Sequence, residues 1–375
     1  MAYDSIPLVD LRAQFQSLSA GIIDAVLDGL GSCDFILGEA VTRFEREFAE
    51  FCEIPHAVGC GSGTDALQLA LRAIPLAPGS EVIVPAYGDF GTALAVELAG
   101  GVPKLADVDP ETALIDPSQL EDSITSNTRA IIAAHLFGQC APMEEIREIA
   151  EQYGLIVIED ATQAPGALFE GQRAGSLADI GCFSFHPGRN LGAFGDAGCI
   201  VTRDAELAER LRALRDLGRI SDGSHEFIGL NSRLDTLQAR ILRAKLPLLD
   251  SWNERRRALA SRYDEAFSRV ADVSPCKIAA SNQPVYFRYV VRSPRRAEIL
   301  AELNAAGIAA EQQYPTPAHR HEALADHPFR WRQYPVAQQW ADEAFSLPLY
   351  PELTDEQQER VIEVALEGTR PLETA

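Results

Sequence analysis

Short apolar segments alternate with amphipathic helical patterns through the first two thirds of the chain. The segments have the length of buried strands and are rich in Val and Ile; they run over 81–85, 130–134, 155–159, 180–184 and 199–202. Between them, apolar residues recur every three or four positions over 64–73, 143–153 and 204–217, with Gly154 and Gly218 as stop signals. This alternation predicts an α/β fold built on a mostly parallel sheet.

A long helical pattern follows, from residue 233 to about residue 270. Pro247 interrupts it and predicts a kink, because proline removes a backbone donor and clashes with the preceding turn. Beyond it, the sequence predicts a strand over 285–291 and helices over 296–306 and 355–366. We therefore expect two domains, a large α/β domain over residues 1–250 that binds a ligand and a small α+β C-terminal domain over residues 251–375.

The charge balance restricts the partners of this chain. Its 33 Lys and Arg residues against 55 Asp and Glu residues give a net charge of −22, which repels phosphate backbones and anionic lipid surfaces. No apolar run reaches the roughly 18 residues that a membrane helix needs. The 7 cysteines, an odd number without a C-x-x-C pair, argue against a disulfide framework and a thiolate metal site. We expect a cytoplasmic protein with no nucleic-acid, membrane or metal partner.

A glycine-rich segment, 59–65, leads into the first predicted helix. Glycines let the backbone approach a ligand closely, and the free amides of a helix N-terminus attract anions. The segment therefore predicts an anion site, with a plain connecting turn as the alternative. It lacks the Gly-Lys-Ser/Thr ending of a Walker loop.

Two carboxylates, Glu159 and Asp160, end an apolar strand at the edge where open α/β sheets bind ligands. We expect one of them to be functional; the alternative for Asp160 is a cap on a following helix. Gln163 would face a similar direction in a turn. His135 and His186 lie near the ends of apolar strands, and each, considered alone, is expected to be a hydrogen-bonded packing residue.

The stretch 183–198 is the most unusual part of the sequence. Ser184 ends a predicted strand, and Pro187 and Gly188 interrupt the regular backbone. Arg189 is the one Lys or Arg in the stretch, and several glycines follow it. The alternative to a functional loop is an ordinary one with a solvated Arg189. Lysine occurs only at positions 104, 245 and 277, so chemistry that needs a lysine amine has three candidates.

Ordered motifs cover nearly the whole chain, at 7–12, 35–38, 44–48, 62–67, 107–109, 115–116, 135–139, 158–163, 184–198, 231–239, 314–319 and 347–351. Together they resemble the DegT/StrS family of sugar aminotransferases, which use pyridoxal phosphate (PLP). The resemblance implies a fold type I PLP transferase, with a mostly parallel seven-stranded sheet and a small C-terminal domain. It also implies a homodimer with shared sites. The implied substrate is a sugar, a nucleotide sugar or an aminocyclitol in secondary-metabolite or cell-surface sugar biosynthesis.

The resemblance also implies which residues bind the cofactor phosphate. The main-chain amides of Gly63, Thr64 and Asp65 and the hydroxyl of Ser184 would contact it. Asn231 would add its side-chain amide from a second subunit.

For the cofactor ring, the resemblance implies two further residues. Asp160 would hold the protonated pyridine nitrogen, which keeps the ring an electron sink, and Gln163 would lie near the phenolic oxygen. The cofactor-binding residues therefore match the family pattern.

Three positions depart from that pattern. Arg189 stands where these enzymes place the lysine that forms a Schiff base with the cofactor, and a guanidinium stays protonated and is a poor nucleophile. Asp89 stands where an aromatic side chain usually covers the ring, unless a shifted loop brings Phe90 there. Gln313 stands where His commonly precedes Tyr-Pro. Arg189 and Asp89 together suit a new ion pair or an acid/base arrangement.

These departures lead to three hypotheses. The first is an enzyme that binds PLP or its amine form (PMP) noncovalently and performs altered chemistry, with Arg189, Asp89 and His186 as candidate catalytic residues. The second is a noncatalytic helper subunit that pairs with an active aminotransferase and lends it Asn231. The third is a PLP-free enzyme in which Arg189, Ser184 and the Gly63 loop grip a substrate phosphate or carboxylate. In that enzyme Asp89 or His186 would move a proton. An engineered Lys-to-Arg change in an ordinary aminotransferase is a further alternative.

Overall fold

The computed structural model describes residues 5–270 and 272–369. Its helices are α1 (Leu11–Ser32), α2 (Glu39–Phe51), α3 (Gly63–Ala73), α4 (Phe90–Leu98), α5 (Met143–Tyr153), α6 (Ala205–Arg215), α7 (Thr236–Lys245), α8 (Leu249–Phe267), α9 (Arg296–Ala305), α10 (Pro335–Glu343) and α11 (Asp355–Glu367). Its strands are β1 (His56–Cys60), β2 (Glu81–Pro85), β3 (Val102–Ala106), β4 (Thr128–Ala134), β5 (Ile156–Asp160), β6 (Leu168–Phe169), β7 (Gln172–Arg173), β8 (Ile180–Ser184), β9 (Gly198–Thr202), β10 (Ser274–Pro275), β11 (Asn282–Gln283), β12 (Tyr289–Arg292), β13 (Glu311–Gln312) and β14 (Ala344–Leu347).

Seven strands form the central sheet, in the order β1-β9-β8-β5-β4-β2-β3. Strand β9 is antiparallel to its neighbours β1 and β8. The other neighbouring pairs are parallel, so the sheet is mixed but mostly parallel, as the sequence predicts. Because parallel strands end at the same edge, the residues that follow β2, β5 and β8 are brought together.

The predicted strands are present as β2, β4, β5, β8 and β9, with bounds that agree within two residues. They are continuous apolar runs because both faces of the sheet are covered. Val82 and Val84 pack into one core cluster and Ile83 into another. The predicted α3, α5 and α6 are also present, and Gly154 ends α5 in the left-handed conformation.

The sequence patterns did not identify α1, α2, α4, β1 or β3. Strand β3 lies at the edge of the sheet and contains Pro103 and Lys104, which interrupt the apolar run that would have indicated it. Helix α1 leaves several large apolar side chains on its exposed face, so its apolar residues do not mark one buried stripe.

The second sheet is antiparallel, with the order β10-β12-β14-β13, and a third sheet has the order β11-β6-β7. Helices α8, α9 and α11 share a core with the second sheet, through residues such as Leu259, Leu303 and Val361. Ile6 joins this core and pairs with Ile308. The boundary at residue 250 stays a prediction, and residues 1–4 and 370–375 of the two predicted domains lie outside the described residues.

The long helical stretch is divided as predicted. A 3₁₀ turn, Leu246–Leu248, separates α7 from α8 and holds Pro247. None of the helices within residues 5–270 and 272–369 is both long and apolar enough to cross a bilayer. All seven cysteines are free thiols, and burial raises the pKa of buried members such as Cys182 well above its usual range.

Candidate active site

The carboxyl ends of three parallel strands surround a cavity of about 180 Å³. Strand β2 leads into the turn before α4, β5 ends at Asp160, and β8 ends at Ser184, while the first turn of α3 completes the wall. The lining residues are Ser62, Gly63, Thr64, Leu67, Asp89, Gly91, Thr92, Asp160, Thr162, Ser184, His186, Arg189 and Asp196. The structure therefore brings together all the predicted site residues except Asp65, Gln163 and Asn231.

The start of α3 presents unpaired amides to the cavity. The Ser62 side chain caps the helix by accepting a hydrogen bond from the Asp65 amide at 3.1 Å. Among the described residues, none accepts a hydrogen bond from the amides of Gly63 and Thr64. This differs from the expectation of three free amides, because the Asp65 amide already has a partner. The Asp65 carboxylate faces away and accepts from the Ser232 hydroxyl at 2.6 Å.

Gly63 is required by close packing rather than by its backbone conformation. A Cβ atom at this position would lie 2.5 Å from the Cβ of Ser184, which real Cβ atoms do not tolerate. The helix N-terminus and the end of β8 therefore meet across the smallest possible residue, and the two anion-binding features are brought side by side.

Asp160 is a buried carboxylate held by two hydroxyls. Its Oδ2 accepts from Thr92 Oγ1 at 2.7 Å. Its Oδ1 accepts from Thr162 Oγ1 at 2.6 Å and from the Thr162 amide at 3.2 Å. In the described chain the element that directly follows β5 is the strand β6, so Asp160 does not cap a following helix and that alternative is wrong. Thr92 was not predicted; its signal is a hydroxyl in the first turn of a mostly apolar helix.

The two histidines differ in environment. His135 is buried, its Nε2 lies 2.9 Å from Glu159 Oε2, and its Nδ1 accepts from the Ala141 amide. The expected packing role is therefore observed for His135. His186 is exposed and lines the cavity, so the expectation that it is a packing residue is wrong. The reason is that β8 ends two residues earlier, at Ser184, and His186 lies in the loop that follows.

Arg189 projects into the cavity and lies close to Asp89. Its Nη2 is 3.8 Å from Asp89 Oδ2, so the two charges interact without a direct hydrogen bond. Its Cζ lies 4.3 Å from the centre of the Phe287 ring, a cation–π distance. Asp89 also caps α4, because its Oδ1 accepts from the Gly91 amide at 2.9 Å. The ion pair that the sequence suggested is thus present.

Asn190, next to Arg189, anchors the loop to two distant segments. Its Nδ2 donates to Asn253 Oδ1 at 2.9 Å and to the carbonyl of Val285 at 2.8 Å. No local sequence pattern marks Asn190 or Phe287, because their partners lie far along the chain.

The cavity wall contains no Phe, Tyr or Trp among the described residues. Phe90 packs against His321, with ring centres 4.4 Å apart, and so does not take the place that Asp89 occupies. Gln313 also lies outside the wall, where its Oε1 accepts from the Ser346 hydroxyl at 3.4 Å. Gln163 lies behind the wall, donating to the Tyr314 hydroxyl and accepting from the Phe137 amide, both at 2.9 Å.

None of the three lysines lines the cavity. Lys104 pairs with Glu81, and Lys277 pairs with Glu111. Lys245 is buried and donates to the carbonyl of Gly192 at 2.7 Å, and burial lowers its pKa to about 8.

Asn231 lies away from the cavity of its own chain. It is exposed, and its backbone pairs with Asp216. Its position at the surface leaves the side chain available to a second molecule, but the described chain does not bring it to its own site.

Comparisons with known proteins agree with one another. A model of the DegT/DnrJ/EryC1/StrS aminotransferase family matches residues 16–365. The chain is 42% identical to dTDP-3-amino-3,4,6-trideoxy-alpha-D-glucose transaminase of Streptomyces venezuelae, over 99% of this chain and 98% of the relative.

Two solved structures extend the comparison to the fold. The crystal structure of S. venezuelae DesV in complex with a ketimine intermediate has a TM-score of 0.97 and 41% identity, over 99% of this chain and 100% of DesV. The crystal structure of NtdA from Bacillus subtilis with bound PMP has a TM-score of 0.92 and 30% identity, over 99% of this chain and 86% of NtdA. These matches confirm the expected α/β fold of PLP-dependent aminotransferases, and the chain belongs to the DegT/DnrJ/EryC1/StrS aminotransferase family.

Proposed function

We propose that this chain is a sugar-aminotransferase-like protein that binds PLP or PMP without a covalent bond and acts on a sugar, a nucleotide sugar or an aminocyclitol by altered chemistry. One observation carries the proposal. The side chain that enters the cavity from the loop after β8 is the Arg189 guanidinium, paired with Asp89, and no lysine is in the described lining. A guanidinium does not release its proton in a protein and so does not attack an aldehyde.

The donors and acceptors of the cavity fit the cofactor. The unpaired amides of Gly63 and Thr64, with the Ser184 hydroxyl beside them, suit a phosphate at a helix N-terminus. Asp160, kept in place by Thr92 and Thr162, suits a protonated ring nitrogen. When bound there, the pyridine ring supplies an electron sink for a substrate carbanion.

Asp89 and His186 are proposed to move protons. The cap bond to Gly91 uses Asp89 Oδ1, which leaves Oδ2 as the acceptor that faces Arg189. The Gly188 amide donates to His186 Nδ1 at 3.2 Å, so a neutral His186 carries its proton on Nε2. Asp89 and His186 would therefore provide a proton acceptor and a proton donor in the lining of the same cavity.

Arg189 has a positioning and charge-stabilising role in this proposal. Contact with the Phe287 ring and with Asp89 limits the orientations of the guanidinium. Its fixed positive charge remains available to a substrate anion or to negative charge that develops during reaction.

The proposed substrate class is supported by the relative from S. venezuelae, whose name describes a transaminase of a dTDP-linked sugar. We also propose that two copies pair and that Asn231 of one contributes to the site of the other. The exposed apolar side chains of α1 and the exposure of Asn231 support this pairing. The free cysteines fit a reducing cytoplasm, which we propose as the location.

The test of the proposed function is a PLP titration followed by absorption spectroscopy, with borohydride treatment and mass mapping of the peptides. We expect a shifted absorption band that titrates to saturation, and no adduct after reduction. An adduct on any lysine would falsify the noncovalent proposal, and no binding at all would favour the helper-subunit or PLP-free alternatives.

The matched variant is Arg189→Lys. It restores an amine that can form a covalent bond, so reduction is expected to leave an adduct on residue 189 in this variant only. Arg330→Lys, at a surface pair with Glu322, is the control for the same change of residue type elsewhere. An Arg189→Lys protein that binds PLP without reducible attachment would contradict the placement of residue 189 next to the cofactor aldehyde.

A further inference from the structure

Helix α7 holds the loop that carries Arg189 (residues 185–197) from outside the cavity. Gln238 and Lys245 lie seven positions apart on α7, which is about two helical turns, so they lie on the same face. The Phe194 amide donates to Gln238 Oε1 at 2.8 Å, and Lys245 Nζ donates to the Gly192 carbonyl at 2.7 Å. Gly192 and Phe194 follow Arg189 by three and five positions. Two side chains of one helix therefore bind the loop just beyond the residue that enters the cavity.

The ammonium of Lys245 has three N–H donors and three partners. The side chain is 1% exposed. Besides binding Gly192, its Nζ donates to Gln14 Oε1 of α1 at 2.9 Å and lies 4.3 Å from the centre of the Phe194 ring. These partners are a carbonyl, a side-chain amide and an aromatic ring, and none of them carries a full negative charge. Burial lowers the pKa of Lys245 to about 8, and the charge of Glu352 opposes this shift.

A buried ammonium is costly, and an apolar side chain of similar length would pack without that cost. The contacts of Lys245 therefore indicate a role for its charge. We infer that Lys245 is a positioning residue for the cavity, whose ammonium holds the Gly192 carbonyl and thereby keeps the Arg189 loop in the conformation that binds the ligand. The inference rests on the proposed function and deepens it, because it names a residue outside the cavity on which cofactor binding depends.

Four further side chains that hold the loop outside the cavity are neutral. Leu191 and Ala193 pack into the core. Asn190 and Gln238 hold the loop through side-chain amides. Among these five attachments, the bond from Lys245 is the charge-assisted one, and such bonds are about twice as strong as neutral ones. It is therefore the attachment that a change of protonation alters most.

The two protonation states of Lys245 differ in how they hold the loop. The ammonium makes a charge-assisted bond to Gly192 and a cation–π contact with Phe194. The neutral amine has fewer donors and no charge, so both contacts weaken when the proton is lost. Loss of the proton also relieves the cost of a buried charge, which favours the fold as a whole while the loop is held less firmly. PLP affinity is therefore expected to fall as the pH rises through about 8.

The first test needs no cofactor. Hydrogen exchange followed by mass spectrometry compares peptides over 185–197 in wild type and Lys245→Met at pH 7. We expect the loop of the variant to exchange at least about threefold faster, because a lost attachment lowers the free energy of local opening. Lys277→Met is the matched control. Lys277 pairs with Glu111 at an exposed site, so this change should leave the exchange of the loop unaltered.

The second test measures PLP affinity by absorption titration at a series of pH values from 7 to 10. At pH 7, Lys245→Met is expected to bind PLP at least about fivefold more weakly than wild type, because it lacks the charge-assisted bond. The two affinities should converge as wild-type Lys245 loses its proton.

A change on α1 separates the charge of Lys245 from its packing. Gln14→Glu places a carboxylate beside the ammonium and raises the pKa of Lys245, so the fall in PLP affinity should move to higher pH. A merely structural role of Lys245 would not move this profile. Gln16→Glu adds the same charge at an exposed position of α1 and should leave the profile in place. If Lys245→Met does not fold, Gln14→Glu still decides the question.

The outcomes separate this inference from the proposed function. Faster exchange of the loop in Lys245→Met, together with a pH profile that Gln14→Glu moves, supports the inference. A loop that exchanges at the wild-type rate in Lys245→Met, or a PLP profile that Gln14→Glu leaves in place, overturns it and leaves the proposed function intact. If the protein binds no PLP at all, the proposed function fails, and the exchange measurement alone decides whether Lys245 holds the loop.

Discussion

Lys245 is buried between α1 and the loop that carries Arg189. Its Nζ donates to Gln14 Oε1 at 2.9 Å and to the Gly192 carbonyl at 2.7 Å, and it lies 4.3 Å from the centre of the Phe194 ring. The hydrogen bonds replace those that water would supply, but burial still disfavours the charged form. Lys245 therefore connects a helix at the protein surface with the loop that forms the cavity.

The stability of the protein is expected to rise between about pH 8 and pH 10.5 through this residue. Burial lowers the folded-state pKa of Lys245 to about 8 from 10.5, so in this interval the unfolded state binds a proton that the folded state lacks. The free energy of unfolding therefore increases with pH, by about 1.4 kcal/mol for each pH unit that separates the two pKa values.

Urea unfolding of wild type and Lys245→Met at pH 7, 9 and 10 measures this contribution. The variant lacks the titration, so wild type should gain stability relative to it as the pH rises. A difference between the two proteins that stays constant across these pH values would show that Lys245 keeps its ordinary pKa.

The sequence identified single residues best where the chemistry is local. Asp160 at the end of an apolar strand and Arg189 in a broken glycine-rich loop were both recognisable, and both line the cavity. Phe287 was not, because it lies in a run of aromatic and apolar residues that predicts a buried strand. Only the fold brings that run, about a hundred residues away in sequence, against Arg189.

The contact between the start of α3 and the end of β8 sets the geometry of the anion site. The first turn of the capped helix lies beside Ser184, and Gly63 permits this close approach. Neither element makes the site alone, because the helix supplies amides and the strand supplies a hydroxyl.

Gly63→Ala is expected to weaken PLP binding at least about tenfold, because the new methyl group would lie 2.5 Å from the Ser184 Cβ and force the two elements apart. Absorption titration measures the affinity, and thermal melting measures the accompanying loss of stability. Gly21→Ala is the control. A Cβ at Gly21, within α1, would meet nothing within 4 Å, so this change should leave PLP binding intact and stabilise the helix slightly. Equal PLP affinity in the two variants would mean that the α3 amides do not hold the phosphate.

Burial on both faces made five strands of the central sheet predictable, although β1, which is also buried, was missed. The strands β2, β4, β5, β8 and β9 are covered on both faces, and their apolar runs indicated them. Helix α1 was missed because large apolar residues also occupy its exposed face. An amphipathic helix is recognised by apolar residues on one face and polar residues on the other, and α1 lacks this difference.

Seven of the large apolar side chains that are exposed in the described chain lie on α1 and the segment after it. These side chains are Leu11, Phe15, Ile23, Leu27, Leu30, Phe35 and Ile36. A concentration of exposed large apolar side chains on one element of a globular protein indicates association. It supports the proposed pairing of two copies of the chain.

Leu27→Asp is expected to shift the protein from dimer to monomer in sedimentation velocity, because it places a charge in the proposed interface. Leu98→Asp is the matched control, since Leu98 is 45% exposed at the end of α4, on a different element. A wild-type monomer, or a dimer that survives the change at Leu27, would exclude this surface as the interface.

The hydrogen bonds of Asn190 have a consequence for the order of events during synthesis. Its two side-chain partners, Asn253 and Val285, lie 63 and 95 residues further along the chain. When the ribosome has made the last strand of the seven-stranded sheet, which ends at Thr202, it has not yet made the two residues that fix the Arg189 loop. The Arg189 loop can be fixed only when about three quarters of the polypeptide, as far as Val285, has been made, so a product that ends before Val285 would carry the sheet without a fixed Arg189 loop.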